Sequence, residues 1–362
     1  MKDKDAMLAA MKKEIGLRAP DNSQFSTLNS QFPIETLYFG GGTPSVLSID
    51  DISGLLETVT KYYTLAPDAE ITLEANPDDL RDDYIIALRN LGFNRLSIGV
   101  QSFFDDDLQW MNRRHNAAEA LQSVITARQH GFNNINIDLI YGLPNMTCER
   151  WKENLNQAIS LDIPHLSAYH LTIEPRTVFG KRSAKGQDFS IHEDESIRQF
   201  EMLLDIMEKN GYEHYEISNF ARAGFRSRHN CAYWQQRHYI GIGPSAHSYD
   251  GKSRQWNISN NTLYIAAIEN SKYKIQKWYE REELTIVEQY NDYILVSLRT
   301  VYGANLKYIR EHFGVLFEKE FLRQAATYLQ NDYIQEKNGV FTLTRKGKML
   351  SDRITSDLFI DD

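Results

Sequence analysis

The chain has 362 residues, 42% of them hydrophobic and 25% charged, with a formal net charge of −9. This length and composition suit a globular protein with one large α/β domain and a smaller second domain. The acidic balance argues against a general nucleic-acid binder. No apolar run reaches the ~20 residues that a membrane span needs, although peripheral membrane contact stays open. The first residues carry no apolar signal core, so a cytoplasmic location is expected.

The chain contains only two cysteines, Cys148 and Cys231, which lie far apart in the sequence. They form neither a Cys-x2-Cys pair nor a zinc-type spacing, and they imply no disulfide framework. Each is interpreted as a small apolar residue.

A short apolar strand that ends in three glycines is the most informative stretch. A strand is predicted over 36–39, followed by Gly40-Gly-Gly-Thr-Pro44 and a helix over 49–63. Consecutive glycines permit positive φ angles and close backbone approach. Exposed amides at the end of a strand can meet a carboxylate, a phosphate or an amino-acid moiety. The turn on its own is equally consistent with a tight strand-to-helix connection.

Strands and helices then alternate along the chain, after a first amphipathic helix over 3–18. The predicted strands are 71–77, 95–101, 134–140, 165–172 and 213–217, and the predicted helices are 79–90, 117–130, 149–159 and 192–210. Such alternation implies parallel pairing through right-handed crossovers. The pattern favours an α/β fold with a partial, TIM-like (β/α) barrel, and an open doubly wound sheet is the rival. No GxGxxG follows a strand, so a dinucleotide fingerprint is absent.

The second part of the chain has a different texture. Residues 212–256 are crowded with arginines, histidines and aromatic residues. Helices are predicted over 284–299, 306–312 and 316–329, then a hairpin over 333–343 and a last helix from 345, an order typical of a small α+β winged-helix-like domain. The predicted domains are therefore a barrel-type domain over 1–220, a connecting segment over 221–280 and a winged-helix-like domain over 281–362.

Polar residues stand at nearly every predicted strand end. They are Gly40 to Thr43, Glu74 with Asn76, Gln101, Asp138 with Tyr141, Tyr169 with His170, and Glu216. In a parallel α/β barrel these ends meet at the face that holds the active site, so one common site is predicted. The carboxylates can hold a ribose diol or an ammonium group, and Arg113 can neutralise an acid. The set suits S-adenosylmethionine (SAM) or a sugar phosphate, and spacing alone does not choose between them.

Several of these motifs resemble radical SAM enzymes of the oxygen-independent coproporphyrinogen III oxidase type. They are Phe39-Gly-Gly-Gly-Thr-Pro-Ser45, Leu73-Glu-Ala-Asn-Pro77, Leu96-Ser-Ile-Gly-Val-Gln-Ser102 and Asn136-Ile-Asp-Leu-Ile-Tyr-Gly-Leu-Pro144. Within that group the haem-chaperone branch, HemW, is resembled by Glu216-Ile-Ser-Asn-Phe-Ala221, Arg228-His-Asn-Cys-Ala-Tyr-Trp234 and the segment 241–249. The resemblance implies that SAM is contacted by Gly41, Gly42, Thr43, Glu74, Gln101, Arg113 and Asp138. It assigns no catalytic residue.

The sequence departs from this family at the iron–sulfur motif. Radical SAM proteins bind a [4Fe-4S] cluster through Cys-x3-Cys-x2-Cys after the first barrel strand, and this chain has no such motif. In the family, that strand and loop precede a helix that Met7–Leu17 resembles. We therefore expect an N-terminally truncated barrel that lacks the first strand and the cluster loop, with a naturally cluster-less relative as the alternative. As written, the chain is not expected to bind the cluster or to carry out radical chemistry.

Three functions are compatible with the sequence. The first is a haem chaperone that binds haem and passes it to haemoproteins, with His229 as candidate axial ligand between Arg226, Arg228, Tyr233 and Trp234. The second is oxidation of coproporphyrinogen III, an enzymatic activity that needs the cluster. The third is a cluster-less binding or regulatory module. A purely structural role for His229 in the core is the competing interpretation of that residue.

Overall fold

The protein forms two compact units. A computed structural model describes residues 3–19, 33–172, 193–269 and 278–361. One unit, named here the sheet unit, comprises Tyr38–Leu47 and Glu70–Ser227. The other, named the helix unit, comprises Met1–Leu37, Ser48–Ala69 and Arg228–Asp362. The domain boundaries predicted after residues 220 and 280 stay predictions.

The dominant element is a seven-stranded sheet with strand order β1-β2-β3-β4-β5-β7-β6. Its strands are β1 (Ile34–Phe39), β2 (Leu65–Ala75), β3 (Arg95–Gln101), β4 (Asn134–Tyr141), β5 (His165–His170), β6 (Glu213–Glu216) and β7 (Asn219–Ala221). Strands β2 to β5 pair in parallel, as crossovers through helices require. The intervening helices are α2 (Ile49–Tyr62), α3 (Asp82–Asn90), α4 (Asp105–Trp110), α5 (Ala117–Gln129), α6 (Cys148–Ser160) and α7 (Glu193–Lys209). The predicted α/β class with a partial TIM-like barrel is confirmed.

The far edge of the sheet differs from the prediction. Residues 213–217 are expected to be the last strand of the parallel series, and β6 does run in the same direction as β5, but the two strands are not neighbours. The short strand β7 turns back and lies between β5 and β6, antiparallel to both. A strand of three residues is too short for a hydrophobic period to reveal it. The sheet therefore ends in an antiparallel hairpin.

The two faces of the central strands differ in character. Side chains alternate between the faces of a strand, and one face carries the fully buried Leu73, Leu96, Ile98, Ile137 and Leu139. The opposite face carries polar residues that are paired in register across the strands. This polar face comprises Thr72, Glu74, Arg95, Ser97, Asn136, Asp138, His165 and Ser167.

A buried carboxylate on helix α1 (Lys4–Leu17) forms hydrogen bonds to several segments of the helix unit. Glu14 is completely buried and accepts hydrogen bonds from Arg18 Nε at 2.7 Å and from the backbone N of Gly243 at 2.9 Å. It also accepts from Asn257 Nδ2 at 2.8 Å and from the Tyr264 hydroxyl at 2.5 Å. A buried ion pair is tolerated when its remaining hydrogen-bonding capacity is satisfied in this way.

The rest of the helix unit contains two small sheets. Strands β8 (His247–Tyr249), β9 (Ser253–Asn257) and β10 (Tyr279–Glu283) form an antiparallel sheet that follows α8 (Arg228–Trp234) and flanks α9 (Asn261–Glu269). The last elements are α10 (Ile286–Leu298), β11 (Ala304–Asn305), α11 (Leu306–His312), α12 (Val315–Gln330), β12 (Ile334–Lys337), β13 (Val340–Leu343), α13 (Arg345–Lys348) and α14 (Ser351–Asp357). Strands β11 to β13 form a second antiparallel sheet, so helices followed by a hairpin stand as predicted. Within the described ranges, no helix has the length and hydrophobicity to cross a bilayer.

Candidate functional site

The glycine turn after β1 is shaped by backbone conformation and by a neighbouring carboxylate. Gly41 and Gly42 have φ angles of 75° and 79°, which residues other than glycine rarely adopt. A Cβ atom at Gly40 would come too close to the Tyr38 ring and would lie 2.9 Å from Glu74 Oε1, so a larger residue here would displace these side chains. Glu74, near the end of β2, accepts from the Tyr38 hydroxyl at 2.7 Å and from the Gly41 amide at 3.1 Å. The ends of β1 and β2 therefore meet at one carboxylate.

Arg113 joins this group from the segment after α4. Its Nη2 donates to Asn76 Oδ1 at 2.7 Å and to the Gly99 carbonyl at 3.2 Å. Gln101, at the end of β3, has a φ of 68°, unusual for a residue with a side chain, and the strand register shifts between Ile98 and Gln101. Irregular backbone of this kind is concentrated at binding sites.

Asp138 on β4 completes the cluster. Burial raises the pKa of Asp138 to about 6, and the negative charge of Glu74 also raises it. Hydrogen bonds from Asn136 and Ser167 act in the opposite direction and lower it. Asp138 also interacts electrostatically with Arg113. Two carboxylates and one guanidinium thus lie within electrostatic reach at the carboxyl ends of the strands.

The structure brings together five of the seven residues predicted to contact SAM. Gly41, Glu74, Gln101, Arg113 and Asp138 lie at neighbouring strand ends of one sheet. The other two belong to the same turn, where Gly42 is exposed and Thr43 is half-buried.

Sequence reasoning missed Tyr38, which bonds Glu74 and interacts electrostatically with Asp138 and Tyr169. The alternation of β1 offered a signal, because Tyr38 shares its side of the strand with Gly40.

The residues present fit SAM by the chemistry of their donors and acceptors. Gly41 and Gly42 leave open space, since a Cβ at either position would meet no atom within 4 Å. Acidic oxygens suit an ammonium group or a ribose diol, and backbone amides with a guanidinium suit a carboxylate. The chain's two cysteines are fewer than the three thiolates of the [4Fe-4S] motif of the family. In the part of the chain that the structure describes, no group of three His, Cys, Asp or Glu side chains is arranged to hold a metal ion.

The predicted haem ligand lies on α8 in the helix unit. His229 is half-buried, its Nδ1 is hydrogen-bonded to Thr36 Oγ1 at 3.0 Å, and its ring meets Tyr233 edge-on at 5.0 Å. Burial lowers the pKa of His229 to about 4, so the imidazole is neutral at physiological pH. Tyr233 is exposed. A neutral, oriented imidazole next to an exposed aromatic ring is chemically suited to haem iron.

The arginines predicted to flank haem already have acidic partners. Arg228 donates to Asp68 Oδ2 at 3.2 Å. Arg226 lies in the sheet unit, where it pairs with Glu213 at 3.0 Å. Pairing with propionates therefore has to compete with existing ion pairs.

The chain is similar to known proteins in both sequence and fold. The model of the Radical SAM superfamily matches residues 24–158. The chain is 33% identical over 341 residues to heme chaperone HemW of Bacillus subtilis, covering 93% of this chain and 89% of that protein. It is 34% identical to HemW of Lactococcus lactis, covering 91% and 86%. Among solved structures, coproporphyrinogen III oxidase (HemN) of Escherichia coli aligns with a TM-score of 0.83 at 24% identity, covering 99% of this chain and 84% of that one.

The parallel-rich sheet, its glycine turn and the carboxylates at its strand ends define a protein of the radical SAM superfamily. The similarity to HemN shows a shared fold. Identity of 33–34% over most of both chains goes further, and the chain belongs to the HemW family.

Proposed function

We propose that this protein binds haem and delivers it to haemoproteins, and that it binds SAM at the strand ends of its sheet. The observation that carries the proposal is the similarity to proteins named heme chaperone HemW over about nine tenths of the chain. The SAM site rests on the cluster around Glu74, Arg113 and Asp138. The haem site rests on α8.

At the SAM site, each residue has a role that its present contacts support. Glu74 and Asp138 accept hydrogen bonds from the ammonium group or the ribose hydroxyls, while Arg113 balances the SAM carboxylate. The Gly41 amide, now bonded to Glu74, is a further donor to that carboxylate. Gln101, Gly42 and Thr43 border the same strand ends. SAM, when bound, would supply an ammonium group with which the carboxylates of Glu74 and Asp138 could pair.

SAM binding is tested by isothermal titration calorimetry at pH 7.5. The parent protein and Glu149→Gln, a neutral change on the exposed surface of α6, are expected to bind with equal affinity. Arg113→Met should weaken binding at least tenfold, because a charged hydrogen bond contributes roughly 1.5–3 kcal/mol. Absence of heat with the folded parent protein would refute the site.

At the haem site, His229 is the proposed axial ligand and Tyr233 the ring that stacks on the macrocycle. For Nε2 to ligate iron, the Nδ1–H group of His229 donates to Thr36 Oγ1, and this hydrogen bond orients the imidazole. Its low pKa keeps the imidazole neutral, so haem affinity should stay constant between pH 6 and 8.

Haem binding is tested by following the Soret band during titration of the apoprotein. His229→Ala should keep its circular dichroism spectrum and lose most of the Soret shift. The control is His238→Ala, an exposed histidine of the same histidine-rich segment. Equal haem binding by His229→Ala would reject this ligand assignment.

Delivery is a separate step and needs its own measurement. Haem-loaded protein is mixed with a purified apo-haemoprotein, and the acceptor's Soret band reports transfer. A chaperone should transfer haem faster than an equal concentration of haem bound to serum albumin. Equal rates would leave a haem-binding protein without chaperone activity. Oxidation of coproporphyrinogen III is the less supported alternative, because the similarity to HemN is at 24% identity and shows the fold.

A further inference from the structure

A line of buried hydrogen bonds runs from Asp138 into the sheet, away from the strand ends. Asn136 Nδ2 donates to Asp138 Oδ1 and to Ser97 Oγ, each at 2.8 Å. Asn136 Oδ1 lies 2.6 Å from His165 Nδ1. On the other side of the imidazole ring, His165 Nε2 lies 2.7 Å from the Tyr215 hydroxyl. Four side chains from β4, β5 and β6 are thereby linked in series.

Every inner member of this line is excluded from water. Asn136 is 3% exposed, and His165 and Tyr215 are completely buried. Barrel interiors are usually filled by branched apolar side chains, so polar residues at these positions need a reason. A fully satisfied buried network restricts its members to one arrangement.

The donors and acceptors of these side chains allow hydrogen-bond donation along the line in only one direction. An ionised Asp138 only accepts hydrogen bonds, so the amide nitrogen of Asn136 faces it and the amide oxygen faces His165. His165 must then donate from Nδ1. Burial holds the pKa of His165 well below its usual value, so its Nε2 carries no proton and accepts from Tyr215. The order of donation is Tyr215, His165, Asn136, Asp138.

We propose that His165 and Asn136 are positioning residues that hold the Asp138 carboxylate in place for SAM. This inference rests on the SAM site proposed above. Neither residue needs to touch the ligand, because each acts through the next member of the line.

The line also influences when Asp138 is charged. Other ionisable groups that interact with Asp138 are Glu74, Arg95, Arg113, Tyr38 and Tyr169. Against burial, the bond from Asn136 lowers the Asp138 pKa. Loss of this bond therefore raises the pKa, and a higher pH is needed before the carboxylate can bind a cationic ligand.

The test compares His165→Phe, His165→Gln and Tyr215→Phe with the parent protein. SAM affinity is measured by calorimetry from pH 5 to 8.5. In ligand-free protein, the Asp138 pKa is followed by NMR of 13C-carboxyl-labelled aspartate, with the signal assigned by its loss in Asp138→Asn. The control is Thr72→Val on the same face, since Thr72 is completely buried and its hydroxyl has no hydrogen-bond partner.

His165→Phe should move the pH midpoint of SAM binding upward by about 1 unit and weaken binding about tenfold at pH 6.5. His165→Gln, whose amide can donate to Asn136, should restore most of the affinity. Tyr215→Phe should give a smaller upward shift, and Thr72→Val none.

A folded His165→Phe or Tyr215→Phe variant with the parent's midpoint and the parent's Asp138 pKa would overturn the positioning role. If His165→Phe does not fold, Tyr215→Phe and His165→Gln decide by the same two readouts. If the parent protein binds no SAM, the proposed site fails, while the ligand-free Asp138 pKa still decides whether the line acts on this carboxylate.

Discussion

The polar face of the sheet and helix α8 differ in the electrostatic surroundings of their ionisable groups. On the sheet, Asp138 interacts with the like charge of Glu74, and burial raises its pKa to about 6. Around α8, the neutral His229 is hydrogen-bonded to Thr36, and Arg228 is paired with Asp68. On the sheet, the charge of the Asp138 carboxylate is unfavourable as long as no ligand is bound. The groups around α8 are balanced before any ligand arrives.

This difference separates two kinds of site. Burial shifts the pKa values of both Asp138 and His229, but of the two only Asp138 interacts with a like charge, that of Glu74. A cationic ligand can relieve this repulsion, and such an arrangement is typical of binding and catalytic sites. Balanced contacts are typical of packing, and a ligand has to displace them. Substitutions on the sheet should therefore change ligand affinity most, whereas substitutions around α8 should change stability most.

The largest effect is expected at Glu74, which bonds both Tyr38 and Gly41. Glu74→Ala should weaken SAM binding by roughly 100-fold, through loss of a charged hydrogen bond and of the ordered glycine turn. Calorimetry on the parent and on Glu149→Gln gives the reference. A loss below threefold would contradict the contrast between the two regions.

A second effect concerns stability and has an unusual sign. Asp138→Asn should raise the free energy of unfolding at pH 7.5 by on the order of 2 kcal/mol, while it weakens SAM binding. The Asp138 pKa is raised in the folded state, so the parent's penalty is absent below the ordinary value of 3.8 and develops as pH rises to about 6.

Urea unfolding of both proteins at pH 7.5 and pH 4.5 measures this effect, and the advantage of Asp138→Asn should shrink at the lower pH. Lower stability of Asp138→Asn at pH 7.5 would show that the carboxylate is a stabilising group.

Around α8, the hydrogen bond between Thr36 and His229 should contribute about 1 kcal/mol to stability. Thr36→Val removes it at nearly constant volume and should also weaken haem binding, because the bond orients the proposed ligand His229. Thermal unfolding is compared with that of Thr64→Val, at an exposed position just before β2. Equal stability of the two variants would mean that His229 does not anchor α8.

The smallest effect is expected at the surface pair of Arg237 and Glu35, 2.7 Å apart with both side chains more than half exposed. Arg237→Gln should change the free energy of unfolding by less than about 0.5 kcal/mol, since solvent and salt screen exposed pairs. Denaturant midpoints in 50 mM and 500 mM NaCl check this. A change above 1 kcal/mol would identify this pair as part of a larger network.

The sequence predicted the parallel strands and the residues at their ends, because buried runs such as Leu96–Val100 end at glycine, proline or polar residues. It did not predict β9. The buried positions of that strand are Ser253, Gln255 and Asn257, so its inward face is polar and the usual alternation is inverted. Pattern reasoning depends on apolar burial and fails where a strand buries hydrogen-bonding groups instead.

The candidate site was predictable only in part for a similar reason. The position of Asp138 at the end of a predicted strand indicates a site residue. Asn136 and His165 are polar residues within two strands, and nothing in the sequence alone singles them out. Their importance comes from cross-strand register, which places Asn136 opposite His165. Register between strands that are about thirty residues apart is set by the whole sheet.

The buried carboxylate of Glu14 has a consequence for synthesis on the ribosome. One of its partners, Gly243, is 229 residues further along the chain. At typical rates of 5–20 residues per second, α1 waits roughly 10–50 s before this partner has been made. During that interval Glu14 can pair with Arg18, four residues further on, but not with Gly243. The hydrogen bond between Glu14 and Gly243 therefore forms long after α1 has left the ribosome.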